Sequence, residues 1–327
     1  MPEKMMGEKA VKTDAKCMIC PRKCGTERYA GRKGFCGETG EIRLTRAMPH
    51  MWEEPVISGK RGSGAVFFSG CNLHCVYCQN KAISDGGQGK VISINRLKEI
   101  FLELQDKKVY NINLVTPTHY TYEIIEAVAL ARNEGLKLPI VYNCGGYESV
   151  ESIRALKDTV DIWMPDMKYI SSETAKRYSN APDYFEVACN ALKEMTAQVN
   201  AKGGTKFYTV EPEADGNIQD TGIRIMERGV IVRHMLLPGH VAESKRLLRY
   251  LHETYGNDIY ISIMSQYTPM PQILESDRFP ELKTKVLKDE YDRLVDFAVR
   301  IGIENAFIQE GDTAEESFIP AFDCEGV

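Results

Sequence analysis

The sequence predicts an α/β protein: an incomplete barrel of six β/α units with a small N-terminal cysteine-rich metal module. Three observations predict it. Six short apolar runs recur between residues 65 and 264, and most are continuous rather than alternating, as strands buried on both faces of a parallel sheet require. Helical stretches with one apolar face lie between them, the pattern of β/α units joined by right-handed crossovers. Seven of the ten cysteines fall before residue 80, in two tight groups.

The chain divides into a cysteine-rich module (1–50), a core (51–270) and a C-terminal extension (271–327). The module is rich in Gly, Arg, Lys and Cys and shows little helical or strand periodicity, so its fold would lean on a metal. Strands are expected at 65–69, 112–116, 140–143, 162–164, 230–237 and 259–264. Between them, Leu97, Ile100, Phe101 and Leu104 make a helical stripe with Asn95 as its N-cap. Ile124, Ile125, Val128 and Ala131 make a second stripe, stopped at Gly135. Leu247, Leu248, Leu251 and Tyr255 make a third, ended by Gly256 and Asn257. Residues 171–227 should hold two helices and a loop. A charged helix around 283–300 and a last strand at 306–308 complete the extension. A full eight-unit barrel needs about 250 residues, so the roughly 210 between 64 and 270 suit six units.

Formal net charge is −5, which gives no electrostatic footprint for nucleic acid. No apolar run reaches the ~18–20 residues of a membrane span. Charges stand where a signal peptide would have its apolar stretch, so a cytoplasmic location is expected. Disulfides are disfavoured in that compartment, and clustered cysteines there read as metal or iron–sulfur ligands.

In such folds ligands sit at the carboxyl ends of the strands. That rule singles out Ser69 to Cys71, Thr116 to His119, Asn143 to Gly146, Pro165 to Lys168, Leu237 to His240 and Ser265 to Tyr267. The first group opens a loop with Cys71, Cys75 and Cys78 in Cys-x3-Cys-x2-Cys spacing. A [4Fe–4S] cube has four irons, so three thiolates leave one iron open to a chelating substrate. The amino and carboxylate groups of S-adenosylmethionine make a suitable five-membered chelate. A zinc site of the three cysteines with His74 is the alternative, although His74 reads better as a loop residue beside the cluster.

This spacing, its place after a strand, and Tyr77 before the last cysteine resemble the radical S-adenosylmethionine (radical SAM) superfamily. Within it the chain is most similar to the pyruvate formate-lyase activating enzyme group, in its PflX-like branch. The resemblance implies a partial (β/α)6 radical SAM barrel that cleaves S-adenosylmethionine reductively to a 5′-deoxyadenosyl radical for hydrogen abstraction. It also implies an electron donor such as flavodoxin or ferredoxin, and a glycyl radical enzyme as a partner. Residues carried over are Asp166 and Lys168 toward S-adenosylmethionine, His234 toward its ribose and methionine, Asn143 at a strand end, and Tyr77 against the adenine. The segment 116–120, Thr-Pro-Thr-His-Tyr, stands where the activating enzymes have Gly-Gly-Glu, and Thr118 is the candidate to replace that acceptor.

Cys17, Cys20, Cys24 and Cys36 offer four thiolates, enough for a closed zinc site or a second iron–sulfur cluster. The interleaved Arg22, Lys23, Arg28, Arg32 and Lys33 read as a solvated face, or as a docking surface for the electron donor. Three functions follow. The first is an activase for a glycyl radical enzyme. The second is a radical enzyme acting on a small molecule or peptide, with His119, Cys144 and His240 grouped near the mouth. The third, a non-catalytic metal-binding adaptor, is opposed by Asp166, Lys168 and His234 at the strand ends.

Overall fold

Why the central strands form is plain from their burial. The segments Ser63–Phe68, Ile112–Val115, Ile140–Cys144 and Ile162–Pro165 are buried at every position, so both faces of the sheet must be covered. The computed structural model describes residues 16–210, 222–309 and 320–327. Among these the strands are β1 (Ile42–His50), β2 (Ser63–Phe68), β3 (Lys90–Ile92), β4 (Ile112–Val115), β5 (Ile140–Cys144), β6 (Ile162–Pro165), β7 (Lys206–Thr209), β8 (Arg224–Met235), β9 (Tyr260–Met264) and β10 (Ala306–Ile308).

They form one sheet in the order β10-β9-β8-β6-β5-β4-β2-β1-β3, with β7 paired to β8 outside that path. From β2 to β10 the neighbours are parallel, whereas β1, β3 and β7 pair antiparallel. The ladder ends at β3 and β10 and is not closed. The six expected strands are β2, β4, β5, β6, β8 and β9, and β10 is the expected last one.

Three strands differ from expectation. β1 lies in the segment read as lacking periodicity, because Arg43 and Arg46 break its apolar text while pairing with Glu38 and Asp323. β3 and β7 are short and largely exposed, so burial left no pattern to read. The 171–227 stretch does hold two helices, Ser172–Ser179 and Tyr184–Ala201, and its residues 211–221 lie outside the described residues.

Helices cover the outer face. Ile94–Asp106 buries the expected Leu97, Ile100, Phe101 and Leu104, but its N-cap is Ser93, whose hydroxyl accepts from the Arg96 amide at 3.1 Å. Asn95 lies within the first turn instead. Thr121–Asn133 and Val241–Tyr255 carry the other two stripes, and Gly135 and Gly256 follow them with positive φ. These helices and the sheet bury the main core. A smaller cluster fills the inner face below the strand ends, made by Ile57, Val141, Ile162, Met164, Met226 and Ile231. Each such side chain contributes about 1.5–3 kcal/mol, so the inner floor is firm where the site needs support. Residues 323–326 run beside β1, with the Cys324 amide on Thr45 O and the Ala47 amide on Glu325 O.

Candidate active site

The parallel strands place alternate side chains inside the sheet's curve, where they line a cavity of about 780 Å³. It runs from the strand ends down to the helix Pro55–Ser58, with β10 on one side and His50 and Phe67 of β1 and β2 on the other. It thus occupies the gap the open sheet leaves. Cys71, Cys75, Tyr77 and Cys78 line it from the loop after β2, facing Asn143, Asp166, Lys168 and Arg233 from three other strands or their ends.

The cysteine loop is held from several sides. Gly70 turns at φ +87°, and a Cβ there would come within 2.5 Å of Cys36 O. The Cys71 amide donates to Cys36 O at 3.2 Å. The Ser179 hydroxyl donates to Cys75 Sγ at 3.0 Å, and the Leu73 amide approaches Cys71 Sγ at 3.4 Å. Burial, together with the neighbouring Cys75, pushes the Cys71 thiol up to about 11 and that of Cys78 up to about 12, while Lys168 draws both down. Crowded thiols of this kind ionise readily only when a metal-borne positive charge joins them.

Opposite the thiols lies a partly buried charge network. Lys168 Nζ donates to Asp166 Oδ2 at 2.6 Å, and Arg233 Nε donates to Asp166 Oδ1 at 3.0 Å. Arg233 also donates to Asn143 Oδ1 at 2.7 Å and reaches Glu53 at 3.4 Å. Against the upward push of burial, Lys168 and Arg233 hold Asp166 below the usual carboxylate range. Burial raises Glu53, with Arg233 opposing it.

Seven residues expected at the site line the cavity: Cys71, Cys75, Cys78, Tyr77, Asn143, Asp166 and Lys168. Two do not. Thr118 is buried, and its hydroxyl donates to Glu148 at 2.7 Å. His234 points to the helix side of β8, where Nδ1–H donates to Met167 O at 2.7 Å and Nε2 faces the Ser244 hydroxyl at 2.8 Å. The expected grouping of His119, Cys144 and His240 at the mouth does not form. His119 is buried against Ser69 O at 2.6 Å, and burial holds it neutral, down to about 3. His240 instead meets Tyr178 and Glu243, and only Cys144 reaches the cavity.

Arg233 and Glu53 were missed, whereas Thr116 belongs to a strand-end group that the sequence singled out. A charge inside a long apolar strand run must be paired if the strand is buried, and that signal could have found Arg233. Thr116 sits at φ +58° on the cavity wall, an outlier for a β-branched residue and a mark of stored strain.

The N-terminal thiols gather separately. The turn is closed by the Cys17 amide on Thr26 O and the Gly25 amide on Cys17 O, and Gly34 lies between Cys24 and Cys36. Cys20 and Cys36 are buried, Cys24 exposed. Arg22 and Arg28 are not a solvated face. Arg22 donates to the Asn72, Ser179 and Asn180 carbonyls and lies over the Phe35 and Tyr147 rings. Arg28 is fully buried and donates to His119 O and Thr39 O. Among the described residues no three His, Cys, Asp or Glu side chains stand close enough to hold a single metal ion. Thiolates on a cube stand at separate corners, further apart than round one ion. Donor type, shared cavity and cationic surroundings of Cys71, Cys75 and Cys78 fit such a group.

The chain is 25% identical over 298 residues to Methanocaldococcus jannaschii protein MJ0674, itself described as uncharacterized, covering 88% of this chain and 75% of that one. Among solved structures it is similar to Streptococcus suis SuiB bound to S-adenosylmethionine (TM-score 0.45, 10% identity, 73% of this chain, 48% of SuiB). It is also similar to methylornithine synthase, PylB (TM-score 0.47, 14% identity, 73% of this chain, 60% of that one). The chain thus spans about half of SuiB. Among the described residues no helix is long and apolar enough to cross a membrane. Residues 65–221, just under half of the chain, match the model of the Radical SAM superfamily.

Proposed function

We propose that the chain is a hydrogen-abstracting radical enzyme, with Cys71, Cys75 and Cys78 holding a [4Fe–4S] cluster whose fourth iron is left to S-adenosylmethionine. The observation that carries this is one cavity walled by three thiols on one side and by the Asp166–Lys168–Arg233 network on the other. When bound, the cluster supplies the electron that cleaves the sulfonium to methionine and a 5′-deoxyadenosyl radical. The chain's own residues hold and shield. Lys168 offers its charge to a carboxylate, Asp166 accepts from amino or hydroxyl groups, and Tyr77 presents a ring beside the last cysteine. Asn143 sits at the same wall, and Arg233 keeps Asp166 ionised there. Thr118 and His234 act from behind, one through Glu148 and the other by anchoring the Met167 carbonyl. A low-potential donor such as flavodoxin or ferredoxin supplies the electron.

Cys17, Cys20, Cys24 and Cys36 are read as the ligands of a second group, zinc or iron–sulfur; because no three of them stand close enough for a single ion, the iron–sulfur reading is the one supported. The hydrogen donor is a glycyl radical enzyme in one reading and a small molecule or peptide in the other. The strained Thr116, where the activating enzymes carry glycines, favours the second. Anaerobic reconstituted protein with dithionite and S-adenosylmethionine should release 5′-deoxyadenosine, and Cys75→Ala should not. A full cluster without release would falsify the enzymatic reading. Deuterium passing from small candidates into 5′-deoxyadenosine would exclude the activase; a glycyl EPR signal on a co-purified partner would establish it.

A further inference from the structure

Sixteen tyrosines are spread along the sequence, yet several meet at the cysteine loop. Tyr77 is the one tyrosine lining the cavity among the described residues. Its ring centroid lies 6.4 Å from Tyr169, 6.2 Å from Tyr178 and 6.2 Å from Tyr267, and Tyr169 lies 6.3 Å from Tyr178. The contacts are hydrogen-bonded as well as packed. The Tyr169 hydroxyl donates to the Tyr77 oxygen at 2.7 Å, and it meets Ser179 Oγ at 2.7 Å. The Tyr178 hydroxyl donates to Glu281 Oε1 at 2.6 Å and stands 3.1 Å from His240 Nε2. Glu281 and His240 both reach partly into solvent.

Buried tyrosines can pack without pointing their hydroxyls at one another. Here they line up outward: a phenol in the cavity, a phenol donating to it, and a third with a carboxylate ready for its proton. We propose that Tyr77, Tyr169 and Tyr178 form a relay that drains an oxidising radical from the cavity when no substrate is bound. The inference rests on the radical chemistry proposed above.

The steps balance. A primary alkyl radical binds hydrogen more strongly than a phenolic oxygen does. The 5′-deoxyadenosyl radical therefore takes the hydrogen atom of Tyr77, forming a C–H bond and 5′-deoxyadenosine while the O–H bond breaks. Tyr169 passes its hydrogen atom along the existing bond, restoring Tyr77. Tyr178 then gives an electron to Tyr169, its proton moving to Glu281 while a proton from the cavity, passed through the Tyr77 hydroxyl, completes Tyr169. A small thiol reduces Tyr178 by one electron, becoming a thiyl radical and releasing its proton to solvent, and Glu281 returns the Tyr178 proton. Cavity side chains and the cysteine loop are thereby spared the radical.

Freeze-quench EPR on the reconstituted full-length enzyme tests this, using dithionite and S-adenosylmethionine with no second substrate. The expected result is 5′-deoxyadenosine together with an organic radical whose hyperfine pattern narrows on incorporation of ring-deuterated tyrosine. Tyr178→Phe keeps the ring but loses the acceptor-bound hydroxyl. It should lose activity in several-fold fewer abortive turnovers. Tyr250→Phe, whose ring packs on Phe185 away from this cluster, should match the wild type. 5′-Deoxyadenosine without a deuterium-sensitive signal, or a Tyr178→Phe enzyme as durable as the wild type, overturns the relay and leaves the proposed function standing. Absence of 5′-deoxyadenosine overturns both.

Discussion

The two cysteine groups are held in opposite ways. Cys71, Cys75 and Cys78 hang from a strand end in the main core, flanked by a partly buried ion network and braced by Ser179. Cys17, Cys20, Cys24 and Cys36 belong to a turn with little core, docked by Arg22 and Arg28 through backbone carbonyls. Acidity does not separate them. Burial drives Cys71 and Cys78 up and does the same to Cys20 and Cys36, and only at the exposed Cys24 do the Phe35 and Thr26 amides outweigh a modest desolvation and bring the thiol down. The barrel group should keep its geometry without metal, while the N-terminal group should need metal to keep its own. The seam between them is closed by the Cys71 amide on Cys36 O, by Arg22 on the Asn72 carbonyl, and by Ser149, next to Glu148, donating to Ile19 O.

The largest effect should come from breaking the barrel's side of this contrast. Asp166→Ala leaves Arg233 and Lys168, both partly buried, without their shared partner; an unpaired fully buried charge costs about 3–5 kcal/mol, and with Glu53 still beside Arg233 the loss should approach the lower figure. Urea unfolding should show that loss; a cost near zero would mean solvent already screens the network.

At the seam, Glu148 is buried among Thr118, Tyr142 and Cys144, and desolvation raises its carboxyl to about 7, more than those hydrogen bonds lower it. A raised carboxylate pKa means the folded state binds the proton more tightly than the unfolded one. Stability from this group is therefore present at low pH and lost as pH climbs from about 4.5 to about 7, up to about 3 kcal/mol in all. Glu148→Gln should flatten the pH dependence of unfolding across that window; an unchanged slope would assign it elsewhere.

On the module's side, removing metal with a chelator, or Cys17→Ala with Cys20→Ala, should speed proteolysis before residue 40 several-fold while far-UV circular dichroism stays constant. Equal resistance to protease would show that Arg22 and Arg28 hold the module by themselves.

The smallest effect concerns strain. Thr116→Gly relieves a left-handed β-branched residue and should raise stability by about 1 kcal/mol, while lowering affinity for S-adenosylmethionine. A loss of stability would mean that the threonine's packing outweighs its backbone cost.

What was legible in the sequence follows the same division. Continuous apolar runs marked the parallel strands because burial on both faces leaves no room for polar residues, and the three-cysteine spacing marked the loop because a cluster demands it. Legibility failed where side-chain direction mattered. His234 and Arg233 are neighbours on β8, and only strand parity decides which one meets the cavity. Thr116 and Thr118 part for another reason: Thr116 turns left-handed on the cavity wall just past β4, and Thr118 enters the short 3-10 turn Thr118–Tyr120 with its hydroxyl on Glu148. Arg22 and Arg28 looked solvated because nothing local announces that carbonyls from distant loops will receive them. The charged text of β1 hid a strand whose arginines are paired.

The open fourth iron at Cys71, Cys75 and Cys78 is tested most directly by electron–nuclear double resonance. The sample is the reduced Cys17→Ala/Cys20→Ala protein given S-adenosylmethionine labelled with ¹⁷O in its carboxylate. An open iron predicts ¹⁷O coupling to the cluster signal, lost in Cys75→Ala. A cluster signal with no ¹⁷O coupling at saturating S-adenosylmethionine would contradict it.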